Sequence, residues 1–118
     1  MKTYKDLIVW QKSMNIVSQI YQITKIFPVE ERYGLILQIR RCAISIPSNI
    51  AEGYGRKSTG DYLRFLQVAN SSLYELQTQI EIALNLGYLP KDKFKYIYEL
   101  SREIERMLSS LCKKIEDK

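Results

Sequence analysis

Apolar residues recur three and four positions apart along most of this chain, which is the spacing of one face of an α-helix. Four such segments follow one another, at about 6–27, 30–52, 59–86 and 91–115. Their apolar positions are, in order, Leu7, Trp10, Met14, Val17, Tyr21 and Thr24; Leu35, Ile39, Cys42, Ile46, Ile50 and Gly53; Tyr62, Leu66, Ala69, Leu73, Leu76, Ile80 and Ala83; and Phe94, Ile97, Ser101, Ile104, Leu108, Leu111 and Ile115. Short turns join the segments. The pattern therefore predicts an all-α fold, an antiparallel up-down-up-down four-helix bundle with residues 1–118 in one domain.

Capping residues and helix breakers predict where these helices begin and end. Asp6 is a candidate N-cap of the first helix, and Ser58 with Asp61 resembles a capping box at the start of the third. The stretch Gly53–Ser58 is predicted to be a turn, in which glycine supplies the left-handed residue that closes the second helix. Gly87 is predicted to end the third helix.

Pro47 falls in the middle of the second segment. A proline inside a helix removes one backbone donor and clashes with the carbonyl four residues earlier, here that of Ala43, at a cost of about 3 kcal/mol. The apolar phase is the same on both sides of Pro47, which favours one kinked helix. A break near Ser45 is the alternative.

A second apolar stripe runs beside the first in three of the segments. Its members are Val9, Ile16, Ile20, Ile23 and Phe27 in the first segment, Leu37, Ile44 and Ala51 in the second, and Phe65, Val68, Ile82 and Leu86 in the third. A single small bundle cannot bury two faces of each helix, so the stripes predict a homo-oligomer. The alternative is a broad core with a few exposed aliphatic side chains.

The charge of the chain leans positive, with 18 Lys and Arg against 13 Asp and Glu. A basic surface favours anionic partners such as RNA, DNA or a membrane, although many proteins are as basic without binding one. The excess of basic residues lies outside the third segment. After that segment, tyrosines at 88, 96 and 98 lie near three lysines and provide rings for base stacking. The candidate nucleic-acid-binding residues are Arg40, Arg56, Lys57, Lys91, Lys93 and Lys95.

A polar stripe also runs along the second segment, at positions 41, 45, 49, 52 and 56. Arg, Ser and Asn are residue types that contact phosphate and sugar. The same side chains can instead pair with polar groups of the third segment, and we favour this structural interpretation. The members of the predicted staple are Arg41, Ser45, Asn49, Glu52, Asp61, Arg64 and Glu75.

The absence of histidine removes the commonest general base and the commonest zinc ligand. The acidic pairs at 30/31 and 103/105 do not share a helix face, so the sequence predicts no enzyme, metal site or cofactor. An enzyme in which Arg41, Glu52 and Arg64 converge is the remaining catalytic alternative.

No apolar run reaches the length of a membrane span, and the N-terminus lacks a signal peptide, which predicts a cytoplasmic protein with no membrane partner. Cys42 and Cys112 lie on apolar stripes and are predicted to be buried thiols.

Several stretches covering nearly the whole chain resemble one protein family. They are LIVWQK at 7–12, YGL at 33–35, QIRR at 38–41, SIPSNIAEG at 45–53, GR at 55–56, Ser58, DYLRFL at 61–66, Ala69, Ser72, Leu73, Glu75, Gln79 and LGYL at 86–89. By these motifs the chain resembles the four helix bundle protein family, also called the 23S rRNA intervening sequence protein family. Cys42 departs from the family pattern, in which a small Ala is more usual.

The resemblance implies an antiparallel four-helix bundle that assembles as a homopentameric barrel. Members are encoded in some bacteria within insertions in large-subunit ribosomal RNA genes, and elsewhere as ordinary genes. A relative, the accessory variability determinant of diversity-generating retroelements, binds a reverse transcriptase and nucleic acid through a basic surface. Together these observations predict a non-enzymatic, oligomeric module that binds RNA or DNA through surface Lys and Arg. The alternative is a protein–protein scaffold or accessory subunit of a polymerase-like enzyme, for which nucleic-acid binding is incidental.

Overall fold

Four α-helices make up most of the computed structural model, which describes residues 2–117. Helix α1 spans Ile8–Thr24, α2 Leu35–Tyr54, α3 Thr59–Asn85 and α4 Lys91–Glu116, and single 3-10 turns lie at Tyr4–Asp6 and Val29–Glu31. Both α1 and α3 pack against α2 and α4, each pair antiparallel, in a rod of 46 × 24 × 21 Å. No strand occurs between residues 2 and 117. The predicted all-α four-helix fold is confirmed.

Helix α1 buries the second of the two apolar stripes described above, and not the first. Val9, Ile16 and Ile20 are buried in the core, whereas Met14 of the stripe placed first is 44% exposed. The expectation for this helix was wrong because two adjacent apolar stripes satisfy the same spacing. Ser13 also lies on the buried face, where its hydroxyl donates to the Val9 carbonyl at 2.7 Å. That hydrogen bond removes the cost of burying a polar group.

The first two helices begin later than the sequence predicted. The Asp6 carboxylate accepts hydrogen bonds from the Lys2 and Thr3 amides at 2.8 and 3.1 Å, so it caps the 3-10 turn and not α1. These two hydrogen bonds, of which the one from Lys2 has the larger effect, hold the pKa of Asp6 below its usual value. Helix α2 begins at Leu35 and not near 30, because residues 29–31 form a 3-10 turn. The N-cap residue is Gly34, and the Glu31 carboxylate accepts from the Leu35 amide at 3.1 Å, which satisfies the first free amide of the helix.

Helix α2 continues without interruption through Pro47, so the predicted alternative of a break near Ser45 is wrong. Pro47 is buried, and its side chain contributes to packing at the position where its backbone donor is lost. Two side chains donate to carbonyls beside the proline. The Ser48 hydroxyl donates to the Ile44 carbonyl at 2.8 Å, and the Asn49 amide donates to the Ser45 carbonyl at 2.7 Å. These bonds help to satisfy backbone acceptors on the turn that proline weakens.

Gly53 lies inside α2 and is buried, so it does not close the helix as predicted. A Cβ at this position would lie 2.9 Å from the Phe65 Cβ and 3.2 Å from the Tyr62 carbonyl oxygen. Its lack of a side chain therefore permits α2 and α3 to approach closely. The only positive φ between residues 2 and 117 is that of Gly87, at 79°, which confirms the predicted end of α3. The Ser58 cap is also confirmed, since its hydroxyl accepts from the Asp61 amide at 3.1 Å.

Candidate nucleic-acid interface

The six predicted binding residues are divided between the two ends of the bundle. Arg40 and the three lysines of α4 lie toward the end where α1 joins α2 and α3 joins α4. Arg56 and Lys57 lie at the opposite end, where α2 joins α3. The fourteen helical steps from Arg40 to Tyr54, the last residue of α2, correspond to about 21 Å at 1.5 Å per residue, and Arg56 follows beyond that end. The six residues therefore cannot form one compact site.

Arg40 joins α2 to α1. Its Nε donates to the Thr24 hydroxyl at 2.9 Å, and its guanidinium carbon lies 4.4 Å from the centre of the Tyr21 ring. A second nitrogen donates to the Tyr21 carbonyl at 3.5 Å. A guanidinium held by a hydroxyl, a carbonyl and an aromatic face contributes to helix packing. The sequence suggested no such role for Arg40, because neither Tyr21 nor Thr24 is near it in the chain.

Arg56 packs on the Phe65 ring at 4.6 Å and lies 3.9 Å from the Glu52 carboxylate. Both members of the ion pair are exposed, so the pair contributes little to stability. Lys57 is exposed beside it at the start of the turn. The hydroxyl of Ser58 already occupies the Asp61 amide at the start of α3, which leaves fewer free amides there for the predicted phosphate contact.

Ser45 of the predicted staple hydrogen-bonds to α3, and hydroxyls and a thiol form the polar contacts between α2 and α3. The hydroxyls of Ser45 and Ser72 share a hydrogen bond of 2.8 Å, and the Asn49 amide donates to the Ser45 hydroxyl at 2.9 Å. The Cys42 thiol donates to the Ser72 carbonyl at 2.8 Å. Ser72 was not predicted, although it is adjacent to the buried positions 69, 73 and 76 of α3 and so faces the same neighbour.

The charged members of the predicted staple do not cross between helices. Their contacts stay local in sequence. Glu52 pairs with Arg56 just past the end of α2, and within α3 Asp61 pairs with Arg64 at 3.5 Å and Glu75 with Gln79 at 3.3 Å. Arg41 is exposed and has no carboxylate within 4.0 Å in residues 2–117. The expectation was wrong here because spacings of three and four also suit partners on the same helix. These pairs also engage Glu52 and Arg64, which the enzyme alternative requires to converge without partners.

Lys91, Lys93 and Lys95 are all exposed in the first turns of α4. No carboxylate of residues 2–117 lies within 4.0 Å of their ammonium groups. Tyr96 follows them and is 55% exposed. The other two predicted stacking rings are engaged, since the Tyr88 hydroxyl donates to Glu31 at 2.9 Å and Tyr98 stacks on a neighbouring phenylalanine at 5.5 Å.

A cleft of about 470 Å³ separates the second half of α1 from the first half of α4. Its lining residues are Gln19, Gln22, Ile23, Ile26, Asp92, Lys93, Tyr96 and Ile97. The structure thus places one predicted binding lysine and one exposed tyrosine against glutamines of another helix. The sequence did not indicate those glutamines, because nothing in the pattern of α1 shows which residues of α4 lie opposite.

An apolar groove of about 310 Å³ lies between α1 and α2 on another side of the bundle. Its lining residues are Tyr4, Trp10, Met14, Val17, Ile44, Pro47, Ser48 and Ala51. The second stripes of α2 and α3 are exposed as the sequence predicted, at Leu37, Ile44, Val68 and Ile82. None of the three lysines at the start of α4 lines this groove, so the groove and the lysine-bearing surface are separate.

A model of the family described as 23S rRNA-intervening sequence protein matches residues 5–110. The chain belongs to this family. A crystal structure of a protein of unknown function, from the S23 ribosomal protein family of Bacteroides thetaiotaomicron, has the same fold. It is similar to this chain at a TM-score of 0.83 and 26% sequence identity, over 90% of this chain and 96% of that one. No curated protein matches the chain.

The family assignment agrees with the four-helix fold, and the sequence motifs that suggested it are spread over the first three helices and the turn that precedes α4. Within residues 2–117 of this family member, no helix is long and apolar enough to cross a membrane. The same residues contain no group of three or more Cys, Asp or Glu side chains arranged to hold a metal ion.

Proposed function

We propose that this member of the 23S rRNA-intervening sequence protein family is a non-catalytic module that binds nucleic acid through the first turns of α4. The observation that carries the proposal is the set of three exposed lysines that have no carboxylate partner among residues 2–117, near the exposed ring of Tyr96. Ammonium groups on flexible stems contact phosphates regardless of sequence. An exposed ring beside them offers a surface on which a base stacks.

The contacts around the other candidate residues favour this end of the bundle. Arg40 is engaged with α1, and Arg56 with Phe65 and Glu52, so each would lose existing contacts on binding a phosphate. In the described part of the chain, Lys91, Lys93 and Lys95 have no such contacts to lose. Binding by these lysines releases counterions, so the affinity falls as the salt concentration rises.

Replacing Lys91, Lys93 and Lys95 together by Ala is expected to weaken nucleic-acid binding about tenfold at low salt. The slope of log affinity against log salt is expected to fall by about 2–3, since each lysine neutralises roughly one phosphate. Fluorescence anisotropy of labelled RNA and DNA over a salt series measures both quantities. The matched control replaces Lys5, Lys113 and Lys114, which removes the same charge from the opposite end of the bundle.

Two outcomes would contradict the proposal. Equal weakening by the two triple variants would mean that net charge alone governs binding. If the unaltered protein binds no RNA or DNA at micromolar concentration and low salt, nucleic-acid binding is not its function.

We also propose that the functional form is a homo-oligomer, with the pentamer of the family resemblance as the expected state. The supporting observation is the apolar side of the bundle, which comprises the α1–α2 groove with exposed Met14 and Ile44 and the exposed Leu37, seven positions before Ile44 on α2. A second copy that covered these side chains would gain the free energy of burying them. The same apolar side favours the second candidate function, a protein–protein scaffold, in which a different protein covers it.

Ile44→Glu is expected to reduce the mass measured by light scattering to that of a single chain, because the carboxylate would be placed in the apolar contact. Val29→Glu is the matched control, since Val29 is exposed in a turn outside the groove and the mass should not change. A homo-oligomer is contradicted if the unaltered protein already has the mass of one chain at tens of micromolar. A pull-down that retains one cellular protein after nuclease treatment would then favour the scaffold.

A further inference from the structure

The tyrosines of this protein differ in what their rings contact. Seven of the nine have an aromatic, cationic or hydrogen-bonding partner in the described part of the chain, at positions 4, 21, 54, 62, 74, 88 and 98. Tyr33 and Tyr96 have none between residues 2 and 117, and both are exposed, at 81% and 55%. Of these two rings, Tyr96 borders the α1–α4 cleft. Its ring is therefore open to a planar group that enters the cleft.

The cleft offers different chemistry on each side of that ring. Ile23 and Ile97 are buried and form an apolar floor. Gln19 and Gln22 border the opposite side, and their side-chain amides make no hydrogen bond within residues 2–117. An amide presents both a donor and an acceptor, which matches the edge of a nucleobase.

The charges at the mouth of the cleft add a phosphate contact. Lys93 lines the cleft, while Lys91 and Lys95 lie two positions before and after it on α4. Asp92 also lines the cleft, and its carboxylate is an acceptor suited to an exocyclic amino group. The volume of about 470 Å³ falls within the range of roughly 300–1,000 Å³ that is common for small-ligand sites.

We propose that the α1–α4 cleft takes one unpaired base of a single-stranded nucleic acid. The base stacks on Tyr96 with its edge toward Gln19 and Gln22, and the adjoining phosphate lies at Lys93. This inference rests on the proposed nucleic-acid binding and adds that the bound nucleic acid is single-stranded. A base inside a duplex is already stacked and paired, so its face and edge are not available to the cleft. Single strands should therefore bind more tightly than duplexes of the same sequence.

The test compares a labelled strand of about 12 nucleotides, as RNA and as DNA, with the same strand annealed to its complement. Tyr96→Leu keeps an apolar side chain but removes the ring, and is expected to weaken single-strand binding about tenfold while leaving duplex binding unchanged. Tyr96→Phe keeps the ring and should bind as the unaltered protein does. Tyr33→Leu is the matched control, because it removes a ring that is even more exposed and that stands outside the cleft.

A fluorescent base analogue at the centre of the strand gives a second readout. Stacking on Tyr96 should quench its emission on binding, and Tyr96→Leu should abolish the quenching at saturating protein. Since Tyr96 is exposed, the variants should retain the circular dichroism of the folded protein.

The outcomes separate this inference from the function on which it rests. If Tyr96→Leu binds single strands as tightly as the unaltered protein while the α4 lysine variant binds weakly, the base-binding cleft is overturned and the proposed function stands. Equal affinity of the unaltered protein for single strand and duplex also overturns the cleft. Failure to bind any nucleic acid overturns both.

Discussion

Ile16→Ala is expected to lower the free energy of unfolding by about 2–5 kcal/mol. Ile16 is fully buried on the face of α1 that contacts the rest of the core, next to Ile20 along the same stripe. Removing three carbons there deletes apolar burial and leaves a cavity that the neighbouring helices cannot collapse to fill. Urea denaturation followed by circular dichroism measures the change.

Met14→Ala is the matched control, because Met14 lies on the same helix but on the stripe that is partly exposed. It is expected to change the free energy of unfolding by about 0.5 kcal/mol or less at low protein concentration. Both variants should be compared at one concentration, since association stabilises a folded chain by mass action. A larger loss for Met14→Ala than for Ile16→Ala would mean that the other stripe of α1 faces the core.

Gly53→Ala is expected to lower the free energy of unfolding by about 1–3 kcal/mol, although alanine is the better helix former. The new Cβ would lie 2.9 Å from the Phe65 Cβ and 3.2 Å from the Tyr62 carbonyl oxygen, so α2 and α3 must move apart. That movement stretches the hydrogen bond between Ser45 and Ser72 at the same interface. The penalty is therefore larger than the propensity gain.

Gly60→Ala provides the comparison, because Gly60 also lies in a helix but has no atom within 4 Å of the position of a Cβ. The same substitution there is expected to leave stability unchanged or to raise it by up to about 1 kcal/mol. Thermal unfolding of the two variants side by side tests the close approach. Similar stability of Gly53→Ala and Gly60→Ala would show that the space at Gly53 is not needed.

The spacing of apolar residues was sufficient to predict four helices and the buried face of three of them. It failed for α1, because two adjacent stripes there have the same periodicity and only contacts with other helices select between them. The predicted start of α2 was also wrong, because residues 29–31 form a 3-10 turn that has no apolar signature and Glu31 of that turn binds the first amide of the helix. Gly53 was assigned to a turn because glycine often closes helices, whereas its role here depends on Phe65 of the next helix.

The candidate site was predictable in its residue types and less so in its geometry. Lys91, Lys93, Lys95 and Tyr96 are neighbours in the chain, so their association could be read from the sequence. The opposite wall of the cleft comes from α1, some seventy positions earlier, and no local pattern joins the two. Arg40 was grouped with the lysines by charge alone, because its contact with Tyr21 depends on how α1 and α2 cross.

The buried thiol at the α2–α3 interface has a chemical consequence. Burial raises the pKa of the Cys42 thiol, and the charge of Glu75 adds a smaller effect in the same direction, so that the pKa rises from 9.0 to about 12. The thiolate is the nucleophile that attacks alkylating agents, disulfides and oxidants, so this cysteine should remain inert to them at neutral pH. The unfolded chain would release this proton near pH 9 and the folded chain only near pH 12. Increasing alkalinity between these values therefore favours unfolding, and the interface keeps its full stability at lower pH.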